Sequence, residues 1–276
     1  LFGKLELLDD RGEWFYDGNN QQLYLWSIDD QAPKTVEVKQ RNLAFDLSDR
    51  SFITVRNLNL FANTITTSDR STGVIIDGVR AKYVSHYMTL PPVPESEKPY
   101  EADDAMFLAA HAHDTGIDWS PGNGVLLEGN NHQITNNIIV NTNYQATYAA
   151  PVRINGNGHQ ISHNTIKRTG RDAINFDWHT AGTDGRNLEI SYNDISEFGM
   201  LSTDLGGIYV CCHINLEGGS INHNWIHDAQ SFSPFWGTRG IYLDLETFNS
   251  TVHHNVVWNL NGSDHNYGIV AGSPRG

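Results

Sequence analysis

Charge is scarce in this sequence: only 18% of its residues are Asp, Glu, Lys or Arg, and those present are unbalanced, giving a formal net charge of −14. A chain so acidic is a poor match for nucleic acid or an anionic membrane surface, both of which attract basic patches. Nucleic acid and membrane are therefore excluded as expected partners. A polyanionic substrate is not, because local arginines or a bound cation can offset the mean field. Long hydrophobic runs are missing, so no stretch approaches a membrane span, and no signal peptide is present. The chain opens at Leu1 in strand-like sequence and reads as a trimmed or mature piece. Cysteine is limited to the adjacent Cys211 and Cys212, which is no disulfide framework. One buried and one exposed thiol are expected there, rather than a vicinal disulfide.

Amphipathic helical periodicity is also missing. In its place stand short β-branched and aromatic runs punctuated by 25 glycines and by many Asn and Asp, an all-β signature in a chain long enough for one extended core. The sequence Ile161-Ser-His-Asn-Thr-Ile166 returns in variant form at Ile134, Ile190, Ile221 and Val252. The shared asparagines, Asn137, Asn164, Asn193, Asn224 and Asn255, lie 27, 29, 31 and 31 residues apart. Self-similarity at that period means a solenoid. Stacked asparagines form a ladder whose amides bond neighbouring turns. The preceding His163, His223 and His254 are expected to be scaffold as well.

Each period also carries an earlier apolar beat, at Val125–Glu128, Val152–Asn155, Ile174–Asp177, Ile208–Cys211 and Ile241–Asp244. Strand alternation sends Ile174 and Phe176 inward and Asn175 and Asp177 outward, with the same phase in every coil. The outward columns are Leu126, Arg153, Asn175, Tyr209, Tyr242, and then Glu128, Asn155, Asp177, Cys211, Asp244. Upstream, Glu13–Tyr16 and Leu23–Trp26 flank Asp17-Gly18-Asn19-Asn20, a hairpin signal that suits a cap for the terminal rung. Three regions are thus expected: an N-terminal β-hairpin or cap over 1–43, a parallel β-helix over 44–276, and within it a long insertion at 83–122 with a short helix from Ala105 to Ala112. In the first coils Ile53–Leu58 aligns with the repeat, Arg56 standing where later coils have Asn.

The units Thr203-Asp-Leu-Gly-Gly-Ile-Tyr209, Gly240-Ile-Tyr-Leu-Asp244 and Val252-His-His-Asn255 resemble the single-stranded right-handed parallel β-helix of the pectate-lyase-like superfamily, and within it secreted bacterial proteins that act on polysaccharides. The likeness runs over about residues 44–272. It implies a secreted or periplasmic protein with a substrate groove along the outer face of the first strand of each coil. That superfamily holds hydrolases, lyases, epimerases and adhesins, so function must come from the site.

Tyr209, Tyr242 and Trp178 offer flat faces for sugar rings, and neighbouring carboxylates offer acid–base capacity. Asp204 and Asp244 are expected as the catalytic pair, with Asp177 third; His179 flanks Trp178, and Glu246 lies two residues beyond Asp244. Arg153, Arg171 and Arg239 are placed to hold a uronate. The expected activity is glycoside hydrolysis by paired aspartates, with an oligosaccharide or polysaccharide as partner, a monomeric enzyme, no metal ligands and no required cofactor. The alternatives are a lyase acting on uronate glycans, which needs an arginine base and brings Ca2+ as cofactor, and a non-catalytic glycan-binding β-helix. Lys167 is the only lysine after residue 100 and sits away from the groove, and a guanidinium is a poor base, so the acidic face favours the hydrolase.

Overall fold

The computed structural model describes residues 4–38, 41, 43–67, 70–84, 111–113, 116–120, 123–144, 149–176, 185–230, 237–261 and 266–272. The chain divides into two compact units, Leu1–Gln40 and Arg41–Gly276. The first holds the expected hairpin, Trp14–Asp17 antiparallel to Gln22–Leu25 with Phe15 opposite Tyr24. Its turn is built by Asp17, whose carboxylate accepts the backbone N–H of Asn19 and the side-chain amide of Asn20.

The second unit is a parallel β-solenoid. Two eight-stranded sheets and one six-stranded sheet run along its axis, each strand bonded to its equivalent one coil earlier and one coil later. The six-stranded sheet carries Val125–Asn130, Val152–Asn157, Ile174–Phe176, Leu205–Val210, Thr238–Leu243 and Tyr267–Ala271. Inside, columns of Ile, Val and Leu fill a core in which Ile134, Ile161 and Ile190, from successive coils, are wholly buried with Phe176 and Phe198. Among the described residues no helix is long and apolar enough to cross a membrane.

The six-residue repeat, expected as one apolar beat, is two strands on different sheets. In one coil Gln160–Ser162 belongs to one eight-stranded sheet and Thr165–Thr169 to the other, with His163 and Asn164 turning the corner between them. The corner residue is the one before the ladder asparagine, and it is left-handed in every coil: Asn136, His163, Tyr192, His223 and His254 have φ between 53° and 58°. Asn and His tolerate that region better than most side chains. Tyr192 is held there by stacking between His163 and His223, with ring centroids 5.1 and 4.7 Å away, and His254 continues the column at 4.9 Å. The expectation that these histidines are scaffold holds.

The asparagines form the expected ladder, with each amide used at both ends. Asn193 Oδ1 accepts from the backbone N and the Nδ2 of Asn164, at 3.0 and 2.9 Å, while its own Nδ2 donates to Asn224 Oδ1 and to the Ile161 carbonyl. Strand register corrects the alignment of the first coils. Thr54–Arg56 pairs with Ile75–Asp77, which pairs with His111–His113 and so with Gln133–Thr135, placing Val55 and Ile76 over Ile134. Leu58 and Val79, not Arg56, therefore stand where later coils have the ladder asparagine.

The insertion is also shorter than expected. His111–His113 and Gly116–Ser120 are strands in register with the coils on both sides. Ala112, expected at the end of a helix, lies in the first of them; residues 85–110 lie outside the described residues.

Candidate functional site

The outward column on the six-stranded sheet stands as the alternation predicted, with Arg153, Asn175, Tyr209 and Tyr242 as successive register partners, and the backbone of Leu126 pairs with Arg153 in the same register. Inward neighbours such as Ile174, Ile208 and Ile241 are buried in the core. Asp244 follows Leu243 at the end of its strand, and Cys211 holds the equivalent place one coil earlier. Asp177, Trp178 and His179 lie outside the described residues.

Asp204 and Asp244 approach the two tyrosines from opposite ends of the strand pair. At one end the Arg239 guanidinium donates to Asp204 Oδ1 at 3.2 Å and lies over the Tyr242 ring, 4.4 Å from its centroid. At the other end the Tyr209 hydroxyl donates to Asp244 Oδ2 at 3.1 Å. The same carboxylate also lies near enough to Tyr242 to disfavour its phenolate. Burial, then the nearby carboxylates, push both phenols above their ordinary range, so each is a hydroxyl donor at any physiological pH. The tyrosine rings meet at 60° rather than in parallel, with Arg171 over Tyr209. A guanidinium thus already occupies a face of each ring expected to be open to sugar.

Beneath Tyr209 lies a group that the sequence did not single out. Asp172 is fully buried between two coils. Its Oδ2 accepts from Arg171 Nη1 at 3.0 Å and Asn175 Nδ2 at 2.8 Å, and its Oδ1 accepts the Gly206 N–H at 3.0 Å. Arg171 reaches across to donate to the Asp204 carbonyl at 2.8 Å. Burial raises the Asp172 pKa, and Arg171 opposes that rise. The adjacent Arg-Asp pair just before the Ile174 strand was the available signal, but nothing local says that it is buried.

Among the described residues, Asn175 Oδ1 and Arg239 Nε are atoms of this face, on buried residues, that have no hydrogen-bond partner. Arg153, Asn175, Arg171 and Tyr209 are buried, whereas Tyr242, Asp204 and Asp244 are partly exposed, so the face opens toward the later coils. Gly206 and Gly207, which follow Asp204, face different neighbours. A side chain on Gly206 would meet the Ile208 carbonyl and Tyr242 Cβ on the outer face, and one on Gly207 would meet Ile226 and Phe198 in the core. Core packing therefore explains Gly207.

Glu246 is not gathered with the others. It sits left-handed in the turn after the strand and bonds His213 Nδ1 at 2.6 Å. The cysteines correct another expectation: Cys211 and Cys212 are joined as a vicinal disulfide, and Cys211 Sγ lies 3.8 Å from Asp244 Oδ2. Among the described residues, no three His, Cys, Asp or Glu side chains gather into a set that could hold a metal ion.

A three-sheet parallel solenoid with a polar face on its six-stranded sheet defines the class as a parallel β-helix. Residues 108–275 match the family described as the right-handed beta helix region, and the chain belongs to that family. No curated protein and no solved structure matches the chain.

Proposed function

We propose that this β-helix is a carbohydrate-active enzyme, a glycoside hydrolase in which Asp204 and Asp244 supply the acid–base chemistry on the outer face of the six-stranded sheet. The observation that carries the proposal is the hydrogen bond from Tyr209 to Asp244, set in a face where Arg239 bonds Asp204 and lies over the Tyr242 ring. Glycosidic cleavage needs one carboxyl to protonate the leaving oxygen and another to activate water or attack the sugar. Partly exposed carboxylates beside a buried floor suit that division, since substrate reaches them while the floor stays fixed. The tyrosine and arginine donors suit the hydroxyls of a sugar.

A second reading, a lyase acting on uronate glycans, draws on Arg153, Arg171 and Arg239, which share this face. Guanidinium forks recognise carboxylates well. As a base, though, Arg239 is already committed to Asp204 and Arg171 to Asp172, which favours hydrolysis.

The experiment is an assay of wild type, Asp204→Asn and Asp244→Asn on neutral and uronate polysaccharides. It follows new reducing ends and the ultraviolet absorbance of the double bond that a lyase leaves. Reducing ends without that absorbance, lost in both variants, support the hydrolase. Absorbance growing with the cuts supports the lyase. Binding without turnover by wild type supports a non-catalytic glycan-binding β-helix, and turnover unaffected in both variants removes the aspartates from the mechanism.

A further inference from the structure

The ladder asparagines of this solenoid are satisfied at both ends of their amides. Each inner ladder asparagine, such as Asn164 or Asn193, uses its Oδ1 as an acceptor and its Nδ2 as a donor. Asn175 departs from that pattern. It is fully buried on the outward column, its Nδ2 donates to Asp172 Oδ2, and its Oδ1 has no partner. A buried acceptor left unmade costs on the order of 1–3 kcal/mol. Turning the amide over would not relieve it, because Oδ1 would then face the Asp172 carboxylate, oxygen against oxygen. Arg171 Nη1 and the Gly206 N–H hold that carboxylate in place. The orientation of the amide is thus fixed from beneath, and its lone pairs are reserved.

We infer that Asn175 is a specificity-determining residue of the site: its Oδ1 accepts a hydrogen bond from one hydroxyl of the bound glycan, and Asp172 with Arg171 is the positioning pair that aims it. This rests on the carbohydrate reading of the same face. An acceptor selects for a donor, so the group recognised is a hydroxyl or an amide N–H, not a carboxylate or a phosphate. Asn175 stands between Arg153 and Tyr209 in the column, one coil before Tyr209 and two before Tyr242. Asn175 lies on the buried part of the face and Tyr242 on its partly exposed part, so a ligand reaches Asn175 from the Tyr242 side. The subsite recognised at Asn175 is therefore distinct from the one beside Asp244.

The test is a chemical double-mutant cycle. Binding of wild type, Asn175→Leu and Asp172→Asn is measured by calorimetry against hexasaccharides of glucose, mannose, xylose, galactose and galacturonate. The best-bound hexasaccharide is then compared with its monodeoxy analogues. Wild type is expected to lose about tenfold or more in affinity with one particular deoxy analogue, since a site built around a hydroxyl rejects the analogue lacking it. Asn175→Leu and Asp172→Asn are expected to bind that analogue and its parent equally, while their responses to the other analogues stay as in wild type. A merely structural residue would weaken all of them alike. Asn175→Ser, which keeps a small polar group, replaces the leucine variant if the latter does not fold. If wild type binds a hexasaccharide and no analogue separates it from the variants, the inference fails while the glycan reading stands. If wild type binds none of the probes, both fail.

Discussion

The Tyr209 hydroxyl donates to Asp244 Oδ2 across one coil of the solenoid, 3.1 Å away, from a ring that is itself buried. The two residues are 35 apart in sequence; Tyr209 lies in one strand and Asp244 directly follows the end of the adjacent strand. That bond makes Asp244 part of the sheet face rather than a loop carboxylate. Asp244→Asn is expected to lower turnover by about 100-fold or more, the scale of a lost acid–base group. Tyr209→Phe, which removes only the donor, is expected to cost about tenfold, as for a hydrogen bond to a charged group. Reducing-end assays on the same substrate check both, and a tyrosine variant indistinguishable from wild type would detach the bond from catalysis.

The asparagine ladder predicts a large stability effect far from the site. Asn193→Ala removes the acceptor of two Asn164 donors and the donor to both Asn224 and the Ile161 carbonyl. The buried groups left unpaired predict a loss of about 2–4 kcal/mol in denaturant unfolding. A loss below about 1 kcal/mol would mean that water replaces the ladder.

Acid should weaken the fold through His159. This ring accepts the His132 N–H at Nδ1 and bonds the Asn155 carbonyl through Nε2, so it is held neutral. Burial lowers its pKa from 6.5 to about 4. The unfolded chain then binds the proton more readily than the folded one. The stability this contributes is fully present above pH 6.5 and is lost as the pH falls from there through about 4, amounting to about 3 kcal/mol. Asp172 runs the other way. Its raised pKa gives stability that is greatest at low pH and is lost as the pH rises through its folded value. Unfolding measured from pH 7 to pH 4 should show a decline that His159→Gln flattens; an unchanged slope would place the acid sensitivity elsewhere.

The vicinal disulfide makes a simple count. Denatured without reductant, the chain is expected to show no reactive thiol, and after reduction two, because no cysteine is free. Because Cys211 Sγ touches Asp244, reduction is also expected to lower turnover measurably in an assay of the folded protein. Two thiols before reduction would restore the picture of one buried and one exposed cysteine.

Much of the fold was legible because a solenoid repeats a local pattern. Period, apolar phase and the outward columns all follow from residues close in sequence, and strand register bears out the order Arg153, Asn175, Tyr209, Tyr242. The misalignment at Ile53–Leu58 has a specific cause. Strand side chains alternate with period two, so a slip of two residues preserves which face each occupies and leaves no trace in the hydrophobic pattern. The corner inside the six-residue repeat was hidden for a related reason: its buried Asn and left-handed His look like any polar pair until backbone geometry distinguishes them.

The sequence by itself determined a parallel β-solenoid, its ladder, and the face on which polar chemistry would gather, because each depends on contacts repeated every coil. Tertiary structure alone decided which polar groups on that face are buried, which are paired and which are left waiting. Asp172 and Glu246 are both carboxylates near apolar beats. One is sealed beneath Tyr209 by a neighbouring coil, and the other turns away to His213. Burial of a charge is a property of the neighbours that close over it, and those neighbours come from coils about thirty residues distant, at the solenoid period.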